Sequence, residues 1–254
     1  MGKTQEYVDK YNIAKEMYIS GALMTDIKRE FKMDMQIFRN NLKSEGLFID
    51  RNIDTELKRN AFDIINTEDK AYWLGLLYAD GYIDEKANKI ELCLKDKEHV
   101  EKFKNLLNTR CNVCDKPAMG HIYYRLNVKS KELVSSLVKD GCFQNKSCKI
   151  TFPTESVVPK HLINAFVRGY FDGNGCMFLS HNKLSISLDS SKDFLDRMKE
   201  IYCLKETKYA RAGKAYEYRL CAANEVKIFL DKLYKNATIY LDRKYKKYFD
   251  NYNN

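Results

Sequence analysis

Trp73-Leu-Gly-Leu-Leu-Tyr-Ala-Asp-Gly81 and Val167-Arg-Gly-Tyr-Phe-Asp-Gly-Asn-Gly175 are two matched stretches whose reading decides the fold. Each reads as a helix that stops at a glycine. Gly75 and Ala79 are four residues apart, as are Gly169 and Gly173, so the small residues of each helix share one face. Two such faces allow backbone-to-backbone packing, closer than the usual interaxial distance of about 8–10 Å. Leu74, Leu77 and Phe171 supply apolar cover for the rest. The two helix ends then meet side by side, which brings Asp80 and Asn174 together.

The match extends well beyond the helices. Gly75 corresponds to Gly169, Asp80 to Asn174 and Tyr124-Arg125-Leu126 to Tyr218-Arg219-Leu220, always at an offset of 94 (169−75, 174−80, 218−124). Leu92 and Leu94 likewise match Ile186 and Leu188. A constant offset over such a span indicates duplication, with two copies related by pseudo-symmetry. Each copy predicts a helix (Asp69–Asp80; His161–Asn174), then two strands (Tyr82–Asp84 and Ile90–Lys95; Cys176–Ser180 and Lys183–Asp189). A second helix follows (Lys97–Leu107; Ser191–Tyr202). A second strand pair ends in His121–Val128 and Ala215–Cys221, and a last helix closes the copy (Ser130–Lys139; Asn224–Tyr234). Short strand-to-strand turns mean antiparallel pairing, so the class is α+β, two αββαββα repeats over 70–158 and 159–254.

Residues 1–51 read as a separate module of three short helices, Tyr7–Ser20, Asp26–Phe31 and Met35–Glu45. Gly21 and Gly46 stop the first and third, and Thr25 and Asp34 are the expected caps of the second and third. This is a helix-turn-helix pattern, in which Gln36, Arg39, Asn40 and Lys43 on the third helix suit base edges and phosphates. Residues 52–69 read as a polar connector.

The totals agree. There are 44 basic and 35 acidic residues, a formal +9, which favours a polyanionic partner such as nucleic acid. Apolar residues at 44% suffice for a sizeable core, and 3 Pro and 11 Gly exclude collagen- and linker-like chains. The start of the chain lacks an apolar signal region and no run is long enough to span a membrane, so the expectation is a protein of a cytosol-like compartment. Such a compartment would be that of a bacterium or phage-infected cell, or an organelle. The abundance of Lys, Asn and Ile fits an AT-rich genome. The 8 cysteines then read as reduced thiols. Cys111-Asn-Val-Cys114 with Cys142 and Cys148 could be drawn as a zinc site, but the spacing is loose and no histidine is close.

At the paired helix ends, the last carbonyls, including those of Ala79 and Gly173, have no intrahelical partner, and both helix dipoles are negative there. A carboxylate with carbonyl oxygens is a ligand set for a hard divalent cation, which can activate water and stabilise a leaving oxygen in phosphodiester hydrolysis. On the strands, Ile90, Leu92 and Leu94 would be core. Lys95, Lys183, Ser185 and Ser187 would face outward, as would Arg125, Asn127 and Arg219.

Leu76-Leu77-Tyr78-Ala79-Asp80-Gly81 and Gly169-Tyr170-Phe171-Asp172-Gly173-Asn174-Gly175 resemble the paired motifs of single-chain LAGLIDADG homing endonucleases, and the resemblance runs from about Lys70 to the last residue. It implies a saddle of two antiparallel sheets over the DNA major groove, with the motif helices at the pseudo-twofold axis. It also implies a monomer that binds double-stranded DNA with no obligate protein partner and cuts with Mg²⁺. It makes the eighth motif residue of each copy the metal-binding acid: Asp80 in the first, but Asn174 in the second. An amide oxygen can ligate Mg²⁺ but brings no charge. The outcomes left open are a slow enzyme, a nicking enzyme, or a regulator that binds without cutting; an RNA maturase is a further alternative. Asn174-Gly175 is also a pair prone to deamidation, which would regenerate an acid; an intact Asn174 on peptide mapping of an active preparation would exclude that. Asp172, two residues back on the helix, points to another side. The family keeps basic residues near its attacking water but at no fixed motif position. Of Lys129, Lys146 and Arg243, Lys129 is the choice for that catalytic role, beside Asp80 and Asn174.

Overall fold

The computed structural model describes residues 5–48, 54–144, 149–205 and 216–252. It contains two compact units, Met1–Asp54 and Thr55–Asn254.

The first unit holds α1 (Gln5–Ile19), α2 (Met24–Phe31) and α3 (Met35–Ser44) around a core of Tyr11, Ala14, Tyr18, Ile27, Phe38 and Leu42. Asp34 caps α3 as expected, accepting from the backbone N–H of Gln36 (2.7 Å) and Ile37 (3.1 Å). Thr25 is not a cap. Helix α2 begins at Met24, two residues before the expected Asp26, after an extended Leu23 that makes no side-chain cap bond. The turn into α3 is made by Lys32 in the left-handed region (φ 49°). Gln36, Asn40 and Lys43 are exposed on α3 and Arg39 is half-buried.

In the second unit, residues 55–67 are no free connector. Leu57, Ala61, Phe62 and Ile65 are buried in the common core, and Lys58 N–H bonds to Leu107 O at 2.8 Å. Thr67 then caps α4 (Glu68–Asp80). The first copy continues with β1 (Tyr82–Asp84), β2 (Lys89–Leu94), α5 (Lys97–Leu107), β3 (Cys114–Ala118), β4 (His121–Lys129) and α6 (Lys131–Lys139). The second has α7 (Ile163–Asn174), β5 (Gly175–Ser180), β6 (Lys183–Ser190), α8 (Lys192–Tyr202), β7 (Tyr216–Leu220) and α9 (Ala223–Tyr234). A further helix, α10 (Asp242–Tyr252), was not anticipated. Both sheets are antiparallel, ordered β1-β2-β4-β3 and, among the described residues, β5-β6-β7. The strand expected before β7 falls on residues 206–215, outside those described. Leu92, Leu126, Ile186 and Leu220 turn one face of each sheet into the core, while Glu91, Arg125, Asn127 and Arg219 lie on the other.

Helices α4 and α7 form the centre. A Cβ on Gly75 would lie 2.0 Å from the carbonyl oxygen of Phe166, and one on Gly169 would lie 1.9 Å from that of Tyr72. These are one contact made twice, since 75 and 72 become 169 and 166 at the offset of 94. Further along, a Cβ on Gly173 would stand 2.3 Å from that of Ala79. The closing glycines Gly81 and Gly175 have ordinary negative φ (−70° and −79°), so no left-handed cap demands them. They are small because a Cβ there would run into Leu77 O (2.6 Å) and the Phe171 ring (2.3 Å).

Gly173→Ala should therefore lower the urea-unfolding free energy by about 1–3 kcal/mol or more through overpacking. Adding Ala79→Gly should restore most of it, because only one methyl fits between the helices. Equal, additive losses would contradict the packing.

Candidate active site

Asp80 and Asn174 are the last residues of α4 and α7. Asp80 is exposed, and its Oδ2 lies 3.2 Å from where a Gly173 Cβ would be, so the carboxylate rests against the end of the partner helix. Ala79 and Gly173 face each other one residue before. Two helix C-termini and one carboxylate thus concentrate negative potential at a half-open spot. Asn174 is held back from it on one side: its Nδ2 donates to Tyr170 Oη (3.2 Å), and that hydroxyl donates to Ser190 Oγ (2.7 Å). Burial pushes the Tyr170 hydroxyl pKa up, and the charges of Asp80 and Asp189 push the same way.

The most consequential residue not singled out from sequence is Lys244, on α10. It is buried, and its ammonium donates to Phe171 O (2.5 Å), Asp172 O (2.8 Å) and Gly175 O (2.5 Å). A lysine thus closes the C-terminal end of α7, where a positive charge is favoured. Burial lowers its pKa to about 8, against the opposing pull of Asp172 and Asp80. At neutral pH it keeps its proton and all three N–H groups have acceptors. The tyrosines and phenylalanine that carry α10, Tyr245, Tyr248, Phe249 and Tyr252, recur at helical spacing, a signal present in the sequence.

Asp172 does point away from the site. It is buried and accepts from Tyr72 Oη (2.8 Å), Tyr234 Oη (2.6 Å) and Leu241 N–H (2.7 Å). Since Tyr72 donates to Asp172, it accepts from His99 Nε2 (2.8 Å), and burial lowers the His99 pKa to about 4, leaving the ring neutral. Arg168 adds a second cross-tie, donating to Leu233 O (2.6 Å), Ile239 O (2.7 Å) and the Glu68 carboxylate on α4. These polar ties lock the helix pair to α9 and the chain leading into α10.

The other anticipated residues divide. Arg125, Asn127 and Arg219 lie on the polar sheet faces. Asn127, in the amide orientation that satisfies its neighbours, donates to Glu91 (2.9 Å) and accepts from Arg125 Nε (3.3 Å); Arg219 Nε pairs with Glu217 at 3.1 Å. Lys183 is exposed and Ser187 half-buried. Ser185 is buried, contrary to expectation, because this short side chain sits on a central strand opposite Phe178. Lys95 lies beyond the end of β2, its Nζ 5.5 Å from the Tyr123 ring centre. Lys129 is not brought to Asp80. It pairs across the ladder with Lys89, four residues or roughly 13 Å along β4 from Arg125. Arg243 pairs with Asp96 at 3.1 Å, and Lys146 lies outside the described residues. Cys142 is buried and Cys114 exposed, Cys148 is outside the described residues, and no zinc cluster forms among the described ones.

Residues 67–137, the first copy, match the family model described as a LAGLIDADG-like domain. The protein is built on the LAGLIDADG fold. The I-LtrWI LAGLIDADG homing endonuclease, solved bound to target DNA, superposes with a TM-score of 0.50 at 14% identity over 72% of this chain and 89% of that one. The N-terminal LAGLIDADG domain of DUF199/WhiA gives 0.46 at 14% identity over 77% and 90%. At these identities the likeness concerns the fold. A probable translation initiation factor IF-2 of Methanocaldococcus jannaschii is 26% identical over 172 residues, 62% of this chain, which spans only 14% of that protein's length. No helix among the described residues is long and apolar enough to cross a membrane.

Among the described residues, no group of three or more His, Cys, Asp or Glu side chains is arranged to hold a metal ion. The LAGLIDADG helix ends offer one carboxylate, carbonyl oxygens and an amide oxygen. That set fits Mg²⁺, which keeps several waters and takes one or two carboxylates together with substrate phosphates.

Lys244→Met should cost about 3–5 kcal/mol in urea unfolding, because it leaves three buried carbonyls and the nearby Asp172 carboxylate without the cation. Lys247→Met, which removes one bond to Met177 O (2.6 Å), should cost far less; equal losses would contradict this reading.

Proposed function

We propose that this protein is a Mg²⁺-dependent endonuclease that recognises double-stranded DNA as a monomer and cuts its two strands unequally. The observation that carries the reading is the Asp80 carboxylate seated against the end of the partner motif helix. The DNA complex of the fold neighbour supports duplex DNA as the substrate. So do the net charge of +9 and the arginines on the polar sheet faces. Asp80 would hold the ion together with the Ala79 and Gly173 carbonyls and the Asn174 amide oxygen. Bound Mg²⁺ would supply the charge that acidifies an attacking water and stabilises the leaving oxygen. The protein's part is placement: the glycine contacts fix the helix ends, and Lys244 and the Asp172 network fix α7. Arg125 and Arg219 would orient the duplex, one in each half-site. Residues 1–51 would add a helix-turn-helix contact through Gln36, Arg39, Asn40 and Lys43.

On a supercoiled plasmid carrying a site recovered by selection, the wild type with Mg²⁺ should yield nicked circles faster than linear product. Asp80→Asn should lower first-strand cutting by about 10²-fold or more, while Asn174→Asp should raise the share of linear product. A second reading, a regulator that binds DNA without cutting, is favoured by Asn174 itself. Tight site-specific binding with no cutting by either wild type or Asn174→Asp would establish it and reject the endonuclease. Preference for structured intron RNA would instead point to a maturase.

Arg39→Ala and Lys43→Ala in the helix-turn-helix should each weaken duplex binding, and each lost phosphate contact should reduce the salt slope by about 1. Affinity and slope unchanged in the double variant would exclude this module from DNA contact.

A further inference from the structure

Arg125 and Arg219 are equivalent at the offset of 94 (219−125), and each stands in a row of short side chains. Across the first sheet the row is Cys93, Arg125 and Cys114; across the second it is Cys176, Ser187 and Arg219. None of the six is buried. Among these described residues each arginine is the one long side chain of its row, so a flat group can reach its guanidinium without meeting a neighbour of equal height.

Each guanidinium is also gripped at one atom. Arg125 Nε donates to Asn127 (3.3 Å), whose amide donates to Glu91 (2.9 Å). Glu91 is flanked in turn by Lys89 and Lys116, each 3.7 Å away. Arg219 Nε pairs with Glu217 at 3.1 Å. Both grips come from the arginine's own strand, β4 or β7, at a distance of two residues, the spacing that puts two side chains on one face. Among the described residues, neither arginine makes a hydrogen bond or ion pair through its two terminal nitrogens. Fixing Nε orients the guanidinium plane and leaves the Nη1/Nη2 edge as an open planar fork.

We propose that Arg125 and Arg219 each read one guanine through this end-on fork, with Asn127 and Glu217 as their positioning residues. This rests on duplex DNA being the substrate, as in the reading above. Guanine presents N7 and O6 side by side in the major groove, a pair of acceptors that matches a planar fork. A phosphate can be met from many directions, so neither the fixed plane nor the clear row would serve it. An arginine oriented before contact also loses less side-chain freedom on binding. The pseudo-twofold relation of the copies then sets the two guanines at equal distances from the centre of the site, one on each DNA strand.

The test selects sites from a randomised duplex library, with Ca²⁺ in place of Mg²⁺ so that binding is read apart from cutting. Wild type should enrich guanine at two positions symmetric about the centre, on opposite strands. Arg125→Ala should lower the preference for guanine about tenfold or more at one position and leave the other; Arg219→Ala should do the reverse. Asn127→Ala and Glu217→Ala should each lower it severalfold at the position of their own arginine only, with the urea-unfolding midpoint unchanged. Glu217→Gln, which keeps an acceptor for Nε, should retain it. A merely structural role would not move one base preference at a time. Uniform weakening across sequences in Arg125→Ala and Arg219→Ala, with the salt slope reduced by about 1, would mean phosphate contacts and overturn the inference. So would a selected site without guanine at such a pair of positions. No binding of any duplex by the wild type would overturn the substrate reading with it.

Discussion

Everything in the larger unit depends on how closely α4 and α7 approach at Gly75 and Gly169. With 2.0 and 1.9 Å between a hypothetical Cβ and the opposing carbonyl oxygen, no residue but glycine fits at either crossing point. Closeness there fixes the helix axes, and the axes fix where their ends arrive. The ends arrive together, so two sets of unpaired carbonyls and the Asp80 carboxylate share one small region. Such a concentration of negative potential has to be balanced. On the α7 side the fold supplies its own cation in Lys244.

The duplication preserved this contact while letting its surroundings diverge. The paired glycines obey the symmetry of the offset, because a change on either side would push the two halves apart. The ends obey it less: Asp80 corresponds to Asn174 and Cys93 to Ser187, and the first hairpin of the second copy pairs Met177 with Ile186 where the offset would require Leu184. Only the second helix carries the buried Asp172, tied to both tyrosines and to the chain before α10. Packing at the crossing point constrains both copies equally, because each glycine meets the other helix's backbone.

Much of this was legible in the sequence. Small residues four apart identified the helix pair, the constant offset identified the two copies, and Asp34 declared the start of its helix. What was hidden has specific physical causes. An even register slip is invisible to hydrophobic alternation, since it returns every side chain to the same face. Lys244 sits in a run of lysines that reads as a solvated surface, and only the carbonyls around it reveal that it is buried. Residues 55–67 look polar enough for a linker, yet four spaced apolar side chains pin them to the core. Lys129 stands at a strand end in the sequence pattern, but the ladder sets it opposite Lys89, four residues along β4 from Arg125.

The most direct measurement is a crystal structure of the protein on its selected duplex, grown with Mn²⁺ and read by anomalous scattering. A peak is expected about 2.1 Å from an Asp80 carboxylate oxygen, between the ends of α4 and α7. A bound duplex with no anomalous peak at Asp80, or with the metal held elsewhere, would contradict it.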